Sequence, residues 1–506
     1  QIITGFNINR NNKISRTLSL KKKLIKSSNI NTHLEKFPFK HVENLFEDYN
    51  YEKLIPEKLS KEGPALVVND FNGDGLDDLF LGGATYQSGQ IFIKQINGKY
   101  EILKNPEIDK DSNYEDVDAS AFDFDSDGDL DLYVVSGGNE SKELQPLSQD
   151  RIYLNNGKGL FTKLPLSLPF TNGATISSAD IDNDGIIDFF VGARSIPRSY
   201  GLSPFSFIIK NTGKNLEIVS KQRLGMITDS VFEDLNNDGF KDLIVCGDWM
   251  PITILINQNG SGFIDKTVEF GLGDSEGLWN TIEITDINND GIKDILAGNV
   301  GLNSKLKADL SKPIKLFLDD FDNNGQIDPI IFYTLFGKYL TFSSKNKLTE
   351  QIPAIKKKYI SYKEFSKVET IEDLTGKSED EILEIKSIKE LRSMLYLGSK
   401  EGFKKIPLPK EAQMSNIQDF IVEFIDGNVK VKFVGNHYDY VTELGKNMSN
   451  SGGEITDFEN FKFNTYKSLN LPNSFNGRRI HKLSSNQYLI VLNNDHSYIL
   501  TPNYEK

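Results

Sequence analysis

"DFNGDGLDDLFLGG", Asp70–Gly83, sets acidic and amide side chains at positions 1, 3, 5 and 9 of a glycine-broken turn and runs directly into an apolar strand. Carboxylates this close repel one another, so the turn needs either a cation or full solvation. The stretch returns as "DFDSDGDLDLYVVSGG" from Asp123, "DIDNDGIIDFFVGA" from Asp180, "DLNNDGFKDLIVCGD" from Asp234, "DINNDGIKDILAGN" from Asp286 and "DFDNNGQIDPIIFY" from Asp320. The first five starts are separated by 53, 57, 54 and 52 residues, and the last step is 34. The longer period is the size of one four-stranded propeller blade. Short alternating or apolar stretches flank each copy, "PALVVN" before the first and "LFLGG" after it, so each reads as strand, acidic hairpin turn, strand.

Within a turn every second side chain points inward, and the glycine at position 6 permits the sharp reversal. Asp70, Asn72, Asp74 and Asp78 can therefore converge on one cation, with the carbonyl of Leu76 as a further oxygen. The corresponding sets are Asp123, Asp125, Asp127, Asp129 and Asp131; Asp180, Asp182, Asp184, Ile186 and Asp188; Asp234, Asn236, Asp238, Phe240 and Asp242; Asp286, Asn288, Asp290, Ile292 and Asp294; and Asp320, Asp322, Asn324, Gln326 and Asp328. Oxygen-only donors without His or Cys at ligand spacing point to calcium, since magnesium prefers stricter octahedral geometry and more water. Six such ions would bring the formal charge of -14 to about -2, so much of the acidity is matched internally. The fourth, fifth and sixth turns carry fewer carboxylates than the second and third, and weaker binding is expected there.

The chain has 506 residues, 38 % hydrophobic and 11 % aromatic, ample for a packed core. Its 72 acidic against 58 basic residues argue against a nucleic-acid or anionic-membrane footprint; Lys21, Lys22 and Lys23 form a short basic cluster. Cys246 is alone, which excludes an internal disulfide, and its setting in "DLIVCGDW" is that of a buried strand residue. No stretch approaches the roughly twenty apolar residues of a membrane span. A start at Gln1 fits a processed or partial product, exported with its signal out of view.

The D-x-[DN]-x-[DN]-G-x-x-D turn between two strands, followed by Gly-Gly, Gly-Ala or Gly-Asn, resembles the FG-GAP or VCBS repeat, the blade unit of integrin α-subunit propellers. "HVENLFEDYNYEKLIPEKLSKEGP", "CGDWMPI" and "GNVGLNSKL" resemble the propeller that follows the ASPIC/UnbV region of large secreted bacterial repeat proteins. The resemblance implies an all-β fold, a seven-bladed β-propeller of four-stranded blades over residues 39–506, with residues 1–38 as an extension or the end of a preceding domain. The Lys- and Glu-rich segment at 347–392 has apolar residues at helical spacing and reads as a partly helical insertion. Beyond it "MLYLGS" and "GFKKIPLP" resemble outer blade strands. "DFIVEFIDGNVKVKFVGNHYD" reads as a seventh repeat whose turn has shrunk to Asp426-Gly427, and "QYLIVLNNDHSYIL" as a hairpin supplying outer strands that close the ring.

The acidic turns would line one rim and the segments after each Gly-Gly the other, with Tyr86, Arg194, Arg198, Trp249, Asn299, Asn303, His437 and Tyr438. Integrin-like propellers use the face opposite their metal turns for ligands, so the resemblance points to this second rim. His33, His41, His437, His481 and His496 are scattered, no H-E-x-x-H pattern occurs, and metal ligation explains the carboxylate spacing better than acid-base catalysis. The expectation is a non-catalytic calcium-stabilised scaffold for protein partners at an extracellular or outer-membrane surface of a Gram-negative bacterium. There millimolar calcium keeps weak sites filled, and the resemblance implies company with outer-membrane transport or assembly proteins. The alternative is glycan recognition or polysaccharide processing, with Trp249, Trp279, Tyr200 and Tyr438 as aromatic platforms.

Overall fold

In the computed structural model, which describes residues 25–504 apart from 143, 166 and 214, the chain winds repeatedly into four-stranded antiparallel units. Lys21–Lys23 lie outside the described residues. Unit A comprises Leu66–Asn69, Asp78–Leu81, Gln90–Lys94 and Tyr100–Leu103, written from the inner strand outwards. Unit B follows with Asp116–Phe122, Asp131–Ser136, Arg151–Leu154 and Thr162–Lys163, and unit C with Gly173–Ala179, Asp188–Ala193, Ser206–Asn211 and Leu216–Gln222. Unit D holds Met226–Glu233, Asp242–Met250, Thr253–Asn257 and Phe263–Asp265; unit E holds Gly277–Thr285, Asp294–Asn299, Met394–Leu397 and Lys404–Pro407.

The second strands of units A to E are buried along their whole length because each sheet is covered on both faces by its neighbours. "DFFVGA" and "DILAGN" are buried at every residue. Phe122, Tyr133 and Phe189 pack between units B and C, with the Phe122 and Phe189 ring centroids 4.5 Å apart. Inner strands neighbour one another in the order A, B, C, D, E and then on to Ile417–Ile425 and Gly477–Ser484.

Those last two strands open units F and G. In F, Ile417–Ile425, Asn428–Gly435, Gly452–Phe458 and Phe463–Ser468 gain a fifth, parallel strand, Lys26–Asn29. In G, Gly477–Ser484, Gln487–Leu492 and His496–Asn503 are completed by Asn31–Lys40, paired antiparallel to the C-terminal strand. Phe37 and Phe39 then pack on Leu79, Leu81 and Phe92 of unit A, which joins the last unit to the first. Tying the N-terminal segment to the final sheet removes the open edge that the seam would otherwise leave. The ring therefore begins by Asn31 and not at Phe39, and the C-terminal hairpin belongs to a unit of its own.

The sixth acidic turn lies elsewhere. Ile314–Asp319, Asp328–Leu335, Lys338–Thr341 and Glu384–Ile388 form a separate sheet inserted between the second and third strands of unit E. Short helices at Lys345–Gln351, Pro353–Lys358, Tyr362–Phe365 and Ile371–Thr375 pack Leu348, Ile355, Ile371 and Leu374 onto it. The turn from Asp320 is thus a repeat within the insertion, which carries strands as well as helices. "MLYLGS" and "GFKKIPLP" do supply the outer strands of a unit, namely E.

Candidate functional site

Each acidic turn is first a backbone device. Asp70 accepts hydrogen bonds from the N–H groups of Gly73, Asp74 and Gly75 at 2.8, 3.1 and 2.7 Å, and Asp74 accepts from Leu76 at 2.9 Å. Position 6 is glycine in all six, with φ from 82° at Gly75 to 94° at Gly128, a region that L side chains resist. The ninth residue turns inward as a staple: Asp78 accepts from Phe71 N–H at 3.1 Å and from Lys94 N–H, on the third strand, at 2.8 Å. Asp131, Asp242 and Asp294 repeat both bonds, and Asp188 accepts from Asn211 N–H. In the inserted sheet the third-strand donor is replaced by Gln351 Nε2, 2.7 Å from Asp328. Burial pushes Asp78, Asp131, Asp188, Asp294 and Asp328 up to about 6, against the pull of these bonds, and raises Asp242 as well.

Carboxylates also face one another within three of the turns, the ninth-position Asp188 and Asp328 among them. Ligand atoms of Asp123, Asp125 and Asp127 lie within 4.8 Å of one another, as do those of Asp180, Asp182 and Asp188 and those of Asp320, Asp322 and Asp328. Asp182 Oδ1, Asp188 Oδ2 and Asp322 Oδ1 are buried and accept no hydrogen bond. An all-oxygen group with unpartnered carboxylate oxygens fits a hard cation. In units A, D and E the third-position Asn72, Asn236 and Asn288 donate Nδ2 to the aspartate at position 5, at 3.1, 2.8 and 2.9 Å. Asp129 is not part of the unit B group. Unit C differs again: Lys210 Nζ contacts Asp182 and lies 3.1 Å from Asp184.

The opposite rim is closed by the chain's own residues 41–64. Arg194 is held by Glu57 at 3.1 Å, Glu62 at 2.8 Å and Asp248 at 2.9 Å. His437 Nε2 stands 3.4 Å from Glu57, and Arg478 Nη2 donates to Lys61 O. Burial lifts Glu57 to about 8 and raises Glu62 and Asp248, whereas burial and Arg478 hold His437 well below the usual imidazole range. Asp48 accepts from Ser60 Oγ and from Asn139 Nδ2, and Asn139 also reaches Glu52, fastening the segment to unit B. Beneath it, the axial cavity holds about 60 Å³ between Arg194, Arg478, Arg479, Gln418 and Asn280. That is well below the roughly 300 Å³ at which small-molecule sites begin.

Several residues expected to present a free surface on this rim are therefore engaged. Trp249 is buried and donates Nε1 to the buried Tyr200 hydroxyl at 2.8 Å, and Trp279 is fully buried with Nε1 on Ser275 O. Three of the four aromatic platforms proposed for glycan are thus core residues; aromatic rings reward burial more than exposure wherever their polar atom finds a partner. Arg198 stacks 4.1 Å from the Tyr51 ring, Asn299 and His437 are buried, Asn303 donates to Ser449 Oγ and Tyr438 to Asn473 O. Tyr86, at 78 %, and Asn303 are the exposed members of that set. The groups that sequence reasoning missed are Glu57, Glu62, Asp248 and Arg478. For Glu57 and Glu62 the one legible signal was charge set beside Leu54, Ile55 and Leu59 in "LIPEKLSKEGP".

Along the axis a further pattern emerges. The inner strands of B, D and F each shift register just before an aspartate, Asp118, Asp229 and Asp419. Each accepts the N–H of the next unit's inner strand, Ile176, Ile282 and Ile480, at 3.0, 2.8 and 2.8 Å. Arg479 approaches Asp118 at 3.5 Å among them.

Residues 70–134, 123–191 and 234–297 match the family of FG-GAP-like repeats. No curated protein matches the chain. Among solved structures, YCF48 bound to D1 peptide is similar at 8 % identity, covering 96 % of this chain and 100 % of that one with a TM-score of 0.43. Sqt1 of Saccharomyces cerevisiae is similar at 9 % identity, covering 88 % and 98 % with a TM-score of 0.42. The biofilm matrix protein Bap1 of V. cholerae is similar at 12 % identity, covering 94 % and 92 % with a TM-score of 0.38.

Proposed function

We propose that this β-propeller of FG-GAP-like repeats is a seven-bladed, calcium-stabilised, non-catalytic scaffold that docks protein partners at a bacterial cell surface. The observation that carries the reading is the pair of oxygen-only groups from Asp123 and Asp320, which meet no basic side chain among the described residues, the second keeping Asp322 Oδ1 buried without a hydrogen bond. Calcium accepts several oxygen ligands and brings two charges there, and it would join the first and third positions with the fifth in unit B and with the ninth in the inserted sheet. In this reading the protein's own residues preorganise the ligands, and the ion cancels their repulsion.

Supporting the docking role, the axial cavity is small and the opposite rim is tied down by residues 41–64, which leaves the inserted sheet as the most prominent accessory surface. It carries Phe336 at 96 % exposure together with Ile360, Leu383 and Leu310. Company with outer-membrane transport or assembly proteins remains part of the proposal. Metal analysis, with thermal unfolding in calcium and then in chelator, tests the first half: several bound calcium ions and a large calcium-dependent rise in midpoint are expected. Co-purification from solubilised membranes, with the intact chain against a variant bearing Phe336→Ser and Ile360→Ser, tests the second; a partner retained equally by both would overturn the role of the insertion.

A further inference from the structure

The acidic turn of unit C is among the two richest in carboxylates, with Asp180, Asp182, Asp184 and Asp188 at all four ligand positions. It is also the one turn whose carboxylates at positions 1 to 5 meet a basic side chain among the described residues. The donor comes from a defined place. The third-strand residue that feeds its N–H to the ninth-position aspartate is Lys94 in A, Asn155 in B, Asn211 in C, Asn257 in D and Gly398 in E. The residue before it is Ile93, Leu154, Ile256 and Leu397 in A, B, D and E, and Lys210 in C. An apolar packing position has become a lysine in one unit only, and its ammonium reaches into that unit's acidic turn.

Lys210 arrives along a cleft of about 390 Å³ between the outer strands of C and the hairpin of D, lined by Asp182, Val219, Asn257 and Phe263. The cleft gives the long side chain a route that the shorter Ile and Leu equivalents do not need. Its Nζ lies between the carboxylates at positions 3 and 5, the two side chains that a calcium ion would have to share.

We infer that Lys210 is the built-in counter-ion of the unit C turn, so that this turn holds its shape without metal and binds calcium far more weakly than its carboxylate count implies. The inference rests on the calcium reading for its comparison with the other turns. A fixed ammonium offers charge-assisted hydrogen bonds to both carboxylates, and an incoming dication must displace it against Coulomb repulsion. Losing such bonds corresponds to roughly ten- to a hundredfold weaker binding. The expectation drawn from carboxylate number, that the second and third turns bind most tightly, then holds for the second alone.

The test compares the full chain with Lys210→Ile, which restores the residue type of the other units, and with the milder Lys210→Gln. Native mass spectrometry counts bound calcium, and hydrogen exchange follows residues 180–188 against 123–131 with and without chelator. In the unsubstituted chain, 180–188 is expected to exchange alike in calcium and chelator while 123–131 opens on chelation. Both variants are expected to gain one calcium per chain, and 180–188 becomes chelator-sensitive. Chelator sensitivity of 180–188 in the unsubstituted chain, or no added ion in either variant, overturns the inference. If no turn in any protein binds calcium, the calcium reading fails on its own. Exchange in 180–188 then still decides for Lys210, which must slow it relative to both variants without any metal.

Discussion

Units D and F perform the same hairpin reversal with opposite charge arrangements. In D the turn from Asp234 to Asp242 gathers carboxylates at the rim, with Asp242 buried under two backbone N–H donors and Asp234 ringed by its own loop amides. In F the turn is reduced to Asp426-Gly427, and the charge has moved inside the sheet. Lys432 is completely buried between Glu423 at 2.5 Å and Glu454 at 3.2 Å, with Lys482 closing the pair at 2.6 Å from Glu423. Tyr488 of unit G donates to the same Glu423. On the calcium proposal D would hold an exchangeable cation at its turn, whereas F carries a covalently attached one. The difference implies that dependence on metal is confined to part of the ring.

The largest expected effect follows from that division. A site held at a hundredfold excess of ligand over its dissociation constant adds about 2.7 kcal/mol to stability, and several such sites add together. Chelation should therefore lower the unfolding midpoint by something on the order of ten degrees. Hydrogen exchange should accelerate across the turns of A, B, D and E while the hairpins of F and G keep their protection. Equal acceleration in F and G would erase the comparison.

The converse substitution is Lys432→Ala. It leaves Glu423 and Glu454 buried without their shared cation, a change that typically costs about 3–5 kcal/mol. Against burial, which raises it, hydrogen bonds from Lys432, Lys482 and Tyr488 hold Glu423 down to about 2, and the substitution removes the first of them. The destabilisation should be the same in calcium and in chelator, measured by denaturant unfolding. A loss that calcium repairs would mean that F depends on the metal turns after all.

Within the metal-turn units, a finer cut separates staple from ligand. Asp131→Asn removes a charged acceptor from the N–H groups of Phe124 and Asn155. Hydrogen bonds to charged groups are worth about 1.5–3 kcal/mol, so the loss should persist in chelator. Asp125→Asn, at a ligand position, should cost stability only when calcium is present. Thermal scans of the two variants in both conditions check the distinction.

Much of this was legible because the signal is local. A turn that needs oxygen at positions 1, 3, 5 and 9 and glycine at 6 writes its geometry directly into the sequence, and the flanking strands follow from their alternation. What was not legible is which sheet receives a hairpin. The turn from Asp320 has the same local form as its relatives, yet its third-strand partner is a helix residue, Gln351, inside an insertion. Likewise Lys210 and Lys432 look in sequence like ordinary solvent-facing strand lysines. Only tertiary register puts one at an acidic turn and the other at the centre of a sheet. Residues 41–64 read as a family-like segment, but their role in covering a rim depends on Arg194 and Asp248, which are more than a hundred residues away.

The smallest effect contrasts the rim with the axis. Glu283 and Asp419 line the inner strands of E and F, and burial raises both to about 7; Asp229 beside them is raised to about 6. Asp419 and Asp229 add to the difficulty of ionising Glu283, and Asp229 to that of Asp419, while Arg479 opposes the shift at Asp419 and Asp229. A carboxyl group that binds its proton more tightly when folded contributes stability that is complete below the ordinary value near 4, and that contribution is lost as pH rises through 6 to 7. Calcium turns work the other way, since a metal-bound carboxylate must be ionised. In saturating calcium Glu283→Gln should therefore leave the midpoint near pH 5 almost unchanged and raise it by roughly one or two degrees near pH 8. The substitution keeps the shape of the side chain and removes the charge that the axis resists. A midpoint lowered equally at both pH values would mean that Glu283 acts through its contacts, and the pH dependence of the ring would then have to come from the turns.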